Sequence, residues 1–104
     1  MIIATTETVD GKTIKETLGV VRGNSIRAIH LGQDIKAVFR HVIGGEISEY
    51  TKLMGESREQ ALDRMAQQAE AMGANAIIAV RLTTSMLMAG AAEIVAYGTA
   101  VIVE

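Results

Sequence analysis

The sequence predicts a two-layer α+β domain in which one long helix packs on a small β-sheet. A long stretch with apolar residues at helical spacing lies between Gly44-Gly45 and Gly73. Two β-prone segments follow that stretch and others precede it, with apolar residues at alternate positions. At 104 residues the chain has the size of one domain, which we expect to span residues 1–104.

The first part of the chain is predicted to contain two strands and a turn. Ile2 to Thr6 is a short β-prone segment. Asp10-Gly11 is a favourable two-residue turn, because both residues tolerate positive φ. Thr13 to Arg22 is predicted to form a strand, which Gly23-Asn24-Ser25 would end. One face of this strand is predicted to carry Ile14, Glu16, Leu18 and Val20.

A short helix and a long helix are predicted for the middle of the chain. Asp34 can cap the short helix, from Ile35 to Ile43, which ends at Gly44-Gly45. The long helix is predicted from about Glu46, because its apolar positions keep their helical phase through Gly55.

The long helix has a second candidate start and a clear end. Ser57 and Gln60 form a capping-box pattern, which leaves a start at Ser57 open. Gly73 suits the position just after a helix, with Ala74 placed to contact Ala69 in a Schellman ending.

Two strands are predicted to follow, Ala76 to Thr84 and Ala92 to Val103, joined by a loop around Met88-Ala89-Gly90. Both faces of the last strand are largely apolar, whereas one helix covers only one face of a sheet. We therefore expect the uncovered face to lie in an interface, and a homo-oligomer is the simplest arrangement that covers it.

Composition excludes several classes of function. Ten Lys and Arg against twelve Asp and Glu give a net charge of −2, without a basic run, so no nucleic-acid partner is expected. The absence of Cys excludes disulfides, thiolate metal sites and cysteine nucleophiles. The longest apolar run, Ile94 to Val103, is about half of the ~20 residues that a membrane span needs. Because the start also lacks the pattern of a signal peptide, we expect a cytoplasmic protein without membrane contact.

An ordered set of short motifs over nearly the whole chain resembles the YbjQ-like family, which is largely uncharacterised and described as "putative heavy-metal-binding". The matching residues are Gly19-Val20-Val21-x-Gly23, Gly44-Gly45-Glu46, Tyr50, Arg58, Gly73-Ala74-Asn75-Ala76 and Gly98-Thr99-Ala100-Val101. The resemblance implies a β-α-β-β subunit with an antiparallel sheet, similar to the dodecin subunit. It also implies a homopentameric ring, in which the short strand Ile2 to Thr6 would help assembly, and a divalent or heavy-metal ion as ligand.

One segment departs from the family pattern. Many relatives follow the Gly-Ala-Asn-Ala block with a strand rich in Asp and Glu, which suits hard cations. This chain has Arg81-Leu82-Thr83-Thr84-Ser85 there instead. If the description of the family rests on those acids, it does not extend to this member.

Metal ligands are scarce in the sequence. His30 and His41 are its two imidazoles, and Asp34 and Glu46 are the nearest carboxylates in the pattern. Zinc and similar ions need three or four converging ligands, and one chain offers too few in any compact motif. Surface or hydrogen-bonding histidines are the favoured interpretation, helix capping accounts for Glu46, and a metal site assembled from several subunits stays open.

Carboxylates on apolar strand faces form a second set of candidates. Glu16 and Glu93 both lie on such faces, and a buried charge needs a cation or hydrogen-bond donors. Arg22, Arg27 and Arg81 can supply either. An interfacial ion pair involving Glu16, Arg22 and Glu93 is the favoured interpretation, and a ligand pocket between subunits is the alternative.

Neither the methionines of the second half nor the serines give a strong candidate for chemistry. Met86 and Met88 are two apart, so on a strand they would share a face, where thioethers suit Cu(I); packing is favoured. No serine stands in a nucleophile-elbow context.

The sequence therefore favours a ring-forming, non-enzymatic cytoplasmic protein that binds metal. The alternatives are a small organic ligand in pockets between subunits, or an enzyme whose site is built across subunits.

Overall fold

The computed structural model describes residues 1–28, 42–43, 46–88 and 90–104. The backbone alone is described for residues 42–43 and 46–50. In chain order, the elements are β1 (Ile2–Ile3), β2 (Ile14–Ala28), β3 (Val42–Ile43), β4 (Glu46–Ile47), α1 (Ser48–Ala71), β5 (Ala76–Met88) and β6 (Ala91–Val103). Four strands form the main sheet in the order β1-β5-β6-β2, and β3 pairs with β4 in a separate two-stranded sheet.

The main sheet is mixed, whereas the family resemblance implied an antiparallel one. β6 runs antiparallel to both β5 and β2. The difference is β1, which pairs in parallel with the start of β5. The residues after β1 extend this edge, because Ala4 N donates to Ile77 O at 2.9 Å and Ala79 N donates to Thr6 O at 2.8 Å. The predicted N-terminal strand is thus part of the chain's own sheet.

β2 is longer than predicted, because Gly23-Asn24-Ser25 lies inside the strand and does not end it. Gly23 pairs with Ala96 and faces the helix. A Cβ at Gly23 would overlap the backbone of Ala61 and Met65 in α1. The glycine is therefore required by the close approach of α1 to the sheet, and no turn is needed to explain it.

The predicted common face of Ile14, Glu16, Leu18 and Val20 is wrong. Two register shifts, between Ile14 and Glu16 and between Thr17 and Gly19, interrupt the alternation of β2. Leu18 consequently packs beneath α1, whereas Ile14 packs on the opposite face of the sheet. Val20 is 69% exposed while the adjacent Val21 is fully buried.

The long helix is continuous from Ser48, which confirms that it does not begin at Ser57. Glu46 is not a helix-start residue, since Glu46–Ile47 forms β4 and pairs with Val42–Ile43. Val42 and Ile43, predicted to end a short helix, are therefore in a strand. The rest of that helix, with Asp34, lies outside the described residues.

Two predicted chain reversals are confirmed. Gly73 has a φ of +86°, and the Ala74 and Gly73 amides donate to Ala69 O and Glu70 O at 3.1 and 3.0 Å, which is the Schellman pattern. At the Asp10-Gly11 turn, Gly11 has a φ of +75° and Lys12 N donates to Val9 O at 3.1 Å.

The core lies between α1 and one face of the sheet. It contains Ala61, Met65 and Ala69 from the helix and small or branched side chains from the strands: Val21, Ile77, Val80, Ile94, Ala96 and Ala100. A smaller cluster on the other face joins Ile2, Val9 and Ile14 to Ala76, Ile78, Val101 and Val103. The N-terminal segment thus covers only one end of that second face, called here the outer face.

Candidate functional site

A buried polar cluster joins α1 to β2. Ser25 and Ser57 are both fully buried. The Ser57 hydroxyl donates to Ser25 Oγ at 3.0 Å, and the Ser25 hydroxyl donates to Gln60 Oε1 at 2.8 Å. Arg27 Nη2 also donates to Gln60 Oε1, at 3.2 Å, and Arg27 Nη1 lies 4.0 Å from Glu56 Oε2. These groups use their hydrogen-bonding capacity on one another. The cluster therefore orients the helix on the strand and leaves no polar group directed at a ligand.

The outer face carries a row of two arginines and a tyrosine across three strands. Arg22 of β2 and Arg81 of β5 are each paired with Tyr97 of β6. Tyr97 is 42% exposed. Arg81 Nη1 donates to the carbonyl oxygens of Thr5 and Val80 at 2.9 and 2.8 Å, so its charge is not neutralised by these contacts. This row, called here the Arg–Tyr–Arg row, can offer two cations and an aromatic ring to a ligand.

The predicted candidates Glu16, Arg22 and Glu93 are not brought together within one chain. Glu16 is exposed and pairs with Ile102, nine residues along β6 from Glu93, which corresponds to about 30 Å of strand. Glu93 lies on the outer face and its carboxylate accepts a hydrogen bond from Asn24 Nδ2 at 3.2 Å. Arg22 pairs with Tyr97, about 13 Å along the strand from Glu93.

The distal half of β5 is an exposed sheet edge. All residues from Arg81 to Met88 are exposed. Four of them are large apolar side chains: Leu82, Met86, Leu87 and Met88, exposed by between 45% and 70%. Between Leu82 and Met88 there is no charged residue. This segment is called here the β5 edge.

Metal-ligating groups do not converge in the described part of the chain. Among the residues that the structure describes, no three His, Asp or Glu lie together. The candidates His30, Asp34 and His41 fall outside those residues, and Glu46 is placed only by its backbone in β4.

Met86 and Met88 do not share a face. Met86 pairs with Ala92 and Met88 with Ala91, with a register shift between the two pairs. Since Ala91 and Ala92 are successive residues of a strand, the two methionines lie on opposite faces. The predicted pair of thioethers for Cu(I) is therefore not formed within one chain.

The whole chain matches one protein family. A model of a family described as "Putative heavy-metal-binding", the YbjQ-like family, matches residues 1–104. The chain belongs to this family. A UPF0145 protein of Methanosarcina acetivorans is 59% identical over 101 residues, covering 97% of this chain and 95% of the relative. A UPF0145 protein of Clostridioides difficile is 53% identical over 104 residues, covering 100% of this chain and 93% of the relative.

A solved structure supports the fold. The crystal structure of a DUF74-family protein of unknown function from Pediococcus pentosaceus is similar, with a TM-score of 0.63. The comparison covers 100% of this chain and 98% of the other, at 19% sequence identity, and so shows the fold alone. No helix in the described part of this chain is long and apolar enough to cross a membrane.

Sequence reasoning missed the polar cluster and the Arg–Tyr–Arg row. Each depends on strand register, which shifts by one residue at two bulges in β2 and at two in β5, the first of them between Ile78 and Arg81. One signal was available for the cluster. Gly23 and Ser25 are small residues two positions apart in a β-prone run, so they lie on the same face of a strand. Small residues on one face indicate that another element packs closely against it.

Proposed function

We propose that this protein acts as a homo-oligomeric ring of five subunits that binds a metal ion and catalyses no reaction, in the cytoplasm. The observation that carries the proposal is the apolar surface that the sheet leaves uncovered. α1 packs over β2 and β6 and hardly touches β5. The β5 edge and part of the outer face are consequently open to solvent in a single chain.

The uncovered surface is too apolar for an isolated subunit. Val20 and Ile26 of β2 are 69% and 56% exposed, and Met86 and Met88 of β5 are 63% and 70% exposed. The exposed apolar residues of β5 lie within the seven residues from Leu82 to Met88, and a cluster of this kind marks an interaction site in soluble proteins. Identical subunits arranged head to tail in a closed ring would cover it at every position. The packing of α1 on the antiparallel strands β2 and β6, with β5 paired to β6, also supports a dodecin-like subunit within that ring.

Metal is the proposed ligand because of the family description. The best candidates are His30, Asp34, His41 and Glu46, which lie within 17 residues of one another in the sequence. Neutral imidazoles and carboxylates suit Zn²⁺ and related ions, which need three or four ligands. A ring would supply copies of these groups from neighbouring subunits.

The metal content of the purified protein tests this part of the proposal. Protein prepared without chelator is gel-filtered and analysed by inductively coupled plasma mass spectrometry. The wild type should carry a fixed number of metal ions per subunit, and His30→Ala or His41→Ala should lower it at least tenfold. Asp63→Ala, which removes an exposed carboxylate of α1, is the matched control and should retain the metal. Wild-type protein that remains free of metal after incubation with Zn²⁺, Ni²⁺ and Cu²⁺ would contradict metal binding.

A second candidate ligand is a small aromatic anion, favoured by the Arg–Tyr–Arg row. Two guanidinium groups beside an exposed tyrosine can pair with an anionic group and stack on a ring. Such a ligand should be released on denaturation and should change the tyrosine fluorescence. Arg22→Gln should abolish its retention. Lys15→Gln, which removes the Lys15–Glu104 ion pair elsewhere on β2, should not.

A further inference from the structure

Each arginine of the Arg–Tyr–Arg row follows a β-bulge that turns it onto the outer face. In β5, the register shifts between Ile78 and Arg81. Ile77 and Val80 both pack in the core beneath α1, although residues three apart on a regular strand lie on opposite faces. The extra residue at the bulge therefore places Arg81 on the outer face, where it pairs with Tyr97.

β2 contains a matching irregularity on the other side of β6. Its register shifts between Thr17 and Gly19. Leu18 and Val21 are again three residues apart, and both pack in the core beneath α1. Arg22, the next residue, consequently lies on the outer face like its counterpart in β5. Two bulges thus place two arginines on one face, on either side of the same strand.

The bulge in β5 is strained and is held by the N-terminal segment. Ala79 has a φ of +52°, which is uncommon for a residue other than glycine. Its amide donates to Thr6 O at 2.8 Å, and Arg81 Nη1 donates to Thr5 O at 2.9 Å. Backbone strain of this kind clusters at functional sites, where the surrounding structure maintains it. The N-terminal segment therefore orients one guanidinium of the row in advance of any ligand.

The two positive charges of the row lack a carboxylate partner in the described part of the chain. The cations that form ion pairs there are Lys15 and Arg27. The backbones of Arg22 and Arg81 lie about 10 Å apart, two strand spacings, with Tyr97 between them. Like charges so placed repel one another, and an anion bound between them would remove that repulsion. The row therefore suits a ligand with more than one negative charge.

We propose that the Arg–Tyr–Arg row binds the phosphate group of an aromatic phosphate monoester. The proposal rests on the aromatic anion named above as a second candidate ligand, and it specifies the charged group of that ligand. A phosphate monoester carries about −1.5 to −2 charges at pH 7 and has three acceptor oxygens. Planar guanidinium groups donate to such oxygens in pairs. The exposed ring of Tyr97 can stack on the aromatic part of the ligand.

A carboxylate fits the row less well than a phosphate group. Its single charge would neutralise only one of the two guanidinium groups. Arg81 already donates from Nη1 to two carbonyl oxygens, and the remaining N–H groups of its guanidinium can serve a ligand. A group with three oxygens can accept from these and from Arg22 at once. The charge of the anion is therefore the property that a test must separate from its aromatic ring.

Three small probes separate charge from ring. Phenyl phosphate has both features, inorganic phosphate lacks the ring, and benzoate has the ring with a single charge. Binding of each probe to the purified protein is measured by isothermal titration calorimetry at low salt, because salt screens exposed charges. Phenyl phosphate should bind at least tenfold more tightly than either of the other probes.

Substitutions within the row locate the binding site. Arg22→Gln and Arg81→Gln should each lower the affinity for phenyl phosphate at least tenfold. Tyr97→Leu should lower the affinity for phenyl phosphate and leave that for inorganic phosphate unchanged. Arg58→Gln, which removes an exposed arginine of α1, is the matched control and should bind phenyl phosphate as the wild type does.

The variants are also compared by urea denaturation, because Arg81 holds the N-terminal segment as well. Arg22→Gln is the cleaner of the two arginine variants. It leaves in place the main-chain amide of residue 22, which donates to Gln68 Oε1 at 2.7 Å. Loss of binding in Arg22→Gln without loss of stability is the result that a purely structural role would not give.

The outcomes separate this inference from the second candidate ligand. Benzoate that binds as tightly as phenyl phosphate, and is lost in Arg22→Gln, overturns the phosphate group and leaves the aromatic anion in place. Inorganic phosphate that binds as tightly as phenyl phosphate overturns the aromatic part of the ligand. Binding of phenyl phosphate that both arginine variants retain overturns the row as its site. Absence of binding by all three probes overturns the inference and the second candidate ligand together.

Discussion

Gly23 sets how closely α1 approaches β2. The space for a side chain at this position is taken by the backbone at Ala61 and Met65. Gly23→Ala must therefore push the helix away from the sheet, and overpacking of this kind costs about 1–3 kcal/mol. We expect the free energy of unfolding, measured by urea denaturation, to fall by that amount.

Gly55 provides the matched control for this prediction. It lies within α1, and a Cβ there would meet no atom within 4 Å. Gly55→Ala should stabilise the protein by about 0.5–1 kcal/mol, because alanine has the higher helix propensity. Equal effects at the two glycines would contradict the close approach of α1 at Gly23.

The buried hydroxyl of Ser25 is the centre of the polar cluster. It accepts from Ser57 and donates to Gln60. Ser25→Ala leaves the Ser57 hydroxyl without its acceptor, and an unsatisfied buried group costs about 1–3 kcal/mol. Ser57→Ala removes the donor itself and should cost less, about 1 kcal/mol or below. Thermal or urea unfolding compares the two, and a larger loss for Ser57→Ala would be evidence against this order of donors.

At the scale of elements, the Asn75 side chain links the start of β5 to the end of β6 by hydrogen bonds. Its amide group donates from Nδ2 to Val103 O and accepts from Val103 N at Oδ1, both at 2.8 Å. Asn75→Ala removes both bonds and should lower the free energy of unfolding by about 1–3 kcal/mol. Asn75→Asp keeps an acceptor for Val103 N but places a carboxylate beside Val103 O, so it should not restore stability. Hydrogen exchange at the Val103 amide should accelerate in Asn75→Ala, which removes the acceptor of that amide.

Local patterns predicted the elements whose signals are local. The long helix, its Schellman ending at Gly73 and the Asp10-Gly11 turn each depend on a few neighbouring residues, and the structure confirms them. The β3–β4 pairing was not predicted, because tertiary contacts can override the helical pattern of apolar residues in so short a segment. The extension of β2 through Gly23 was missed because a glycine in a sequence does not reveal whether it serves a turn or a close approach.

The candidate site was less predictable than the fold. Tyr97 and Glu93 were correctly placed on the second face of β6, since that strand keeps its alternation. The neighbours of these residues depend on pairing across strands, where the bulges in β2 and β5 decide the register. Within one chain Arg22 lies beside Tyr97, and the ion pair that the sequence predicts for it between subunits stays a prediction.

The whole molecule is elongated, with principal extents of 52, 25 and 16 Å. The helix α1 covers one face of the sheet over β2 and β6, so much of β5 and of the outer face lacks cover from the residues that the structure describes. Burial of apolar surface contributes about 25 cal/mol of free energy per Å², which favours association of subunits that cover one another's exposed apolar residues. The proposed ring follows from this uneven coverage.

The native mass of untagged protein tests the proposed assembly most directly. Native mass spectrometry at micromolar concentration should give a species of five times the 11.1 kDa mass of one chain, with mass increments if metal is bound. A single species at the mass of one chain would contradict the proposed ring.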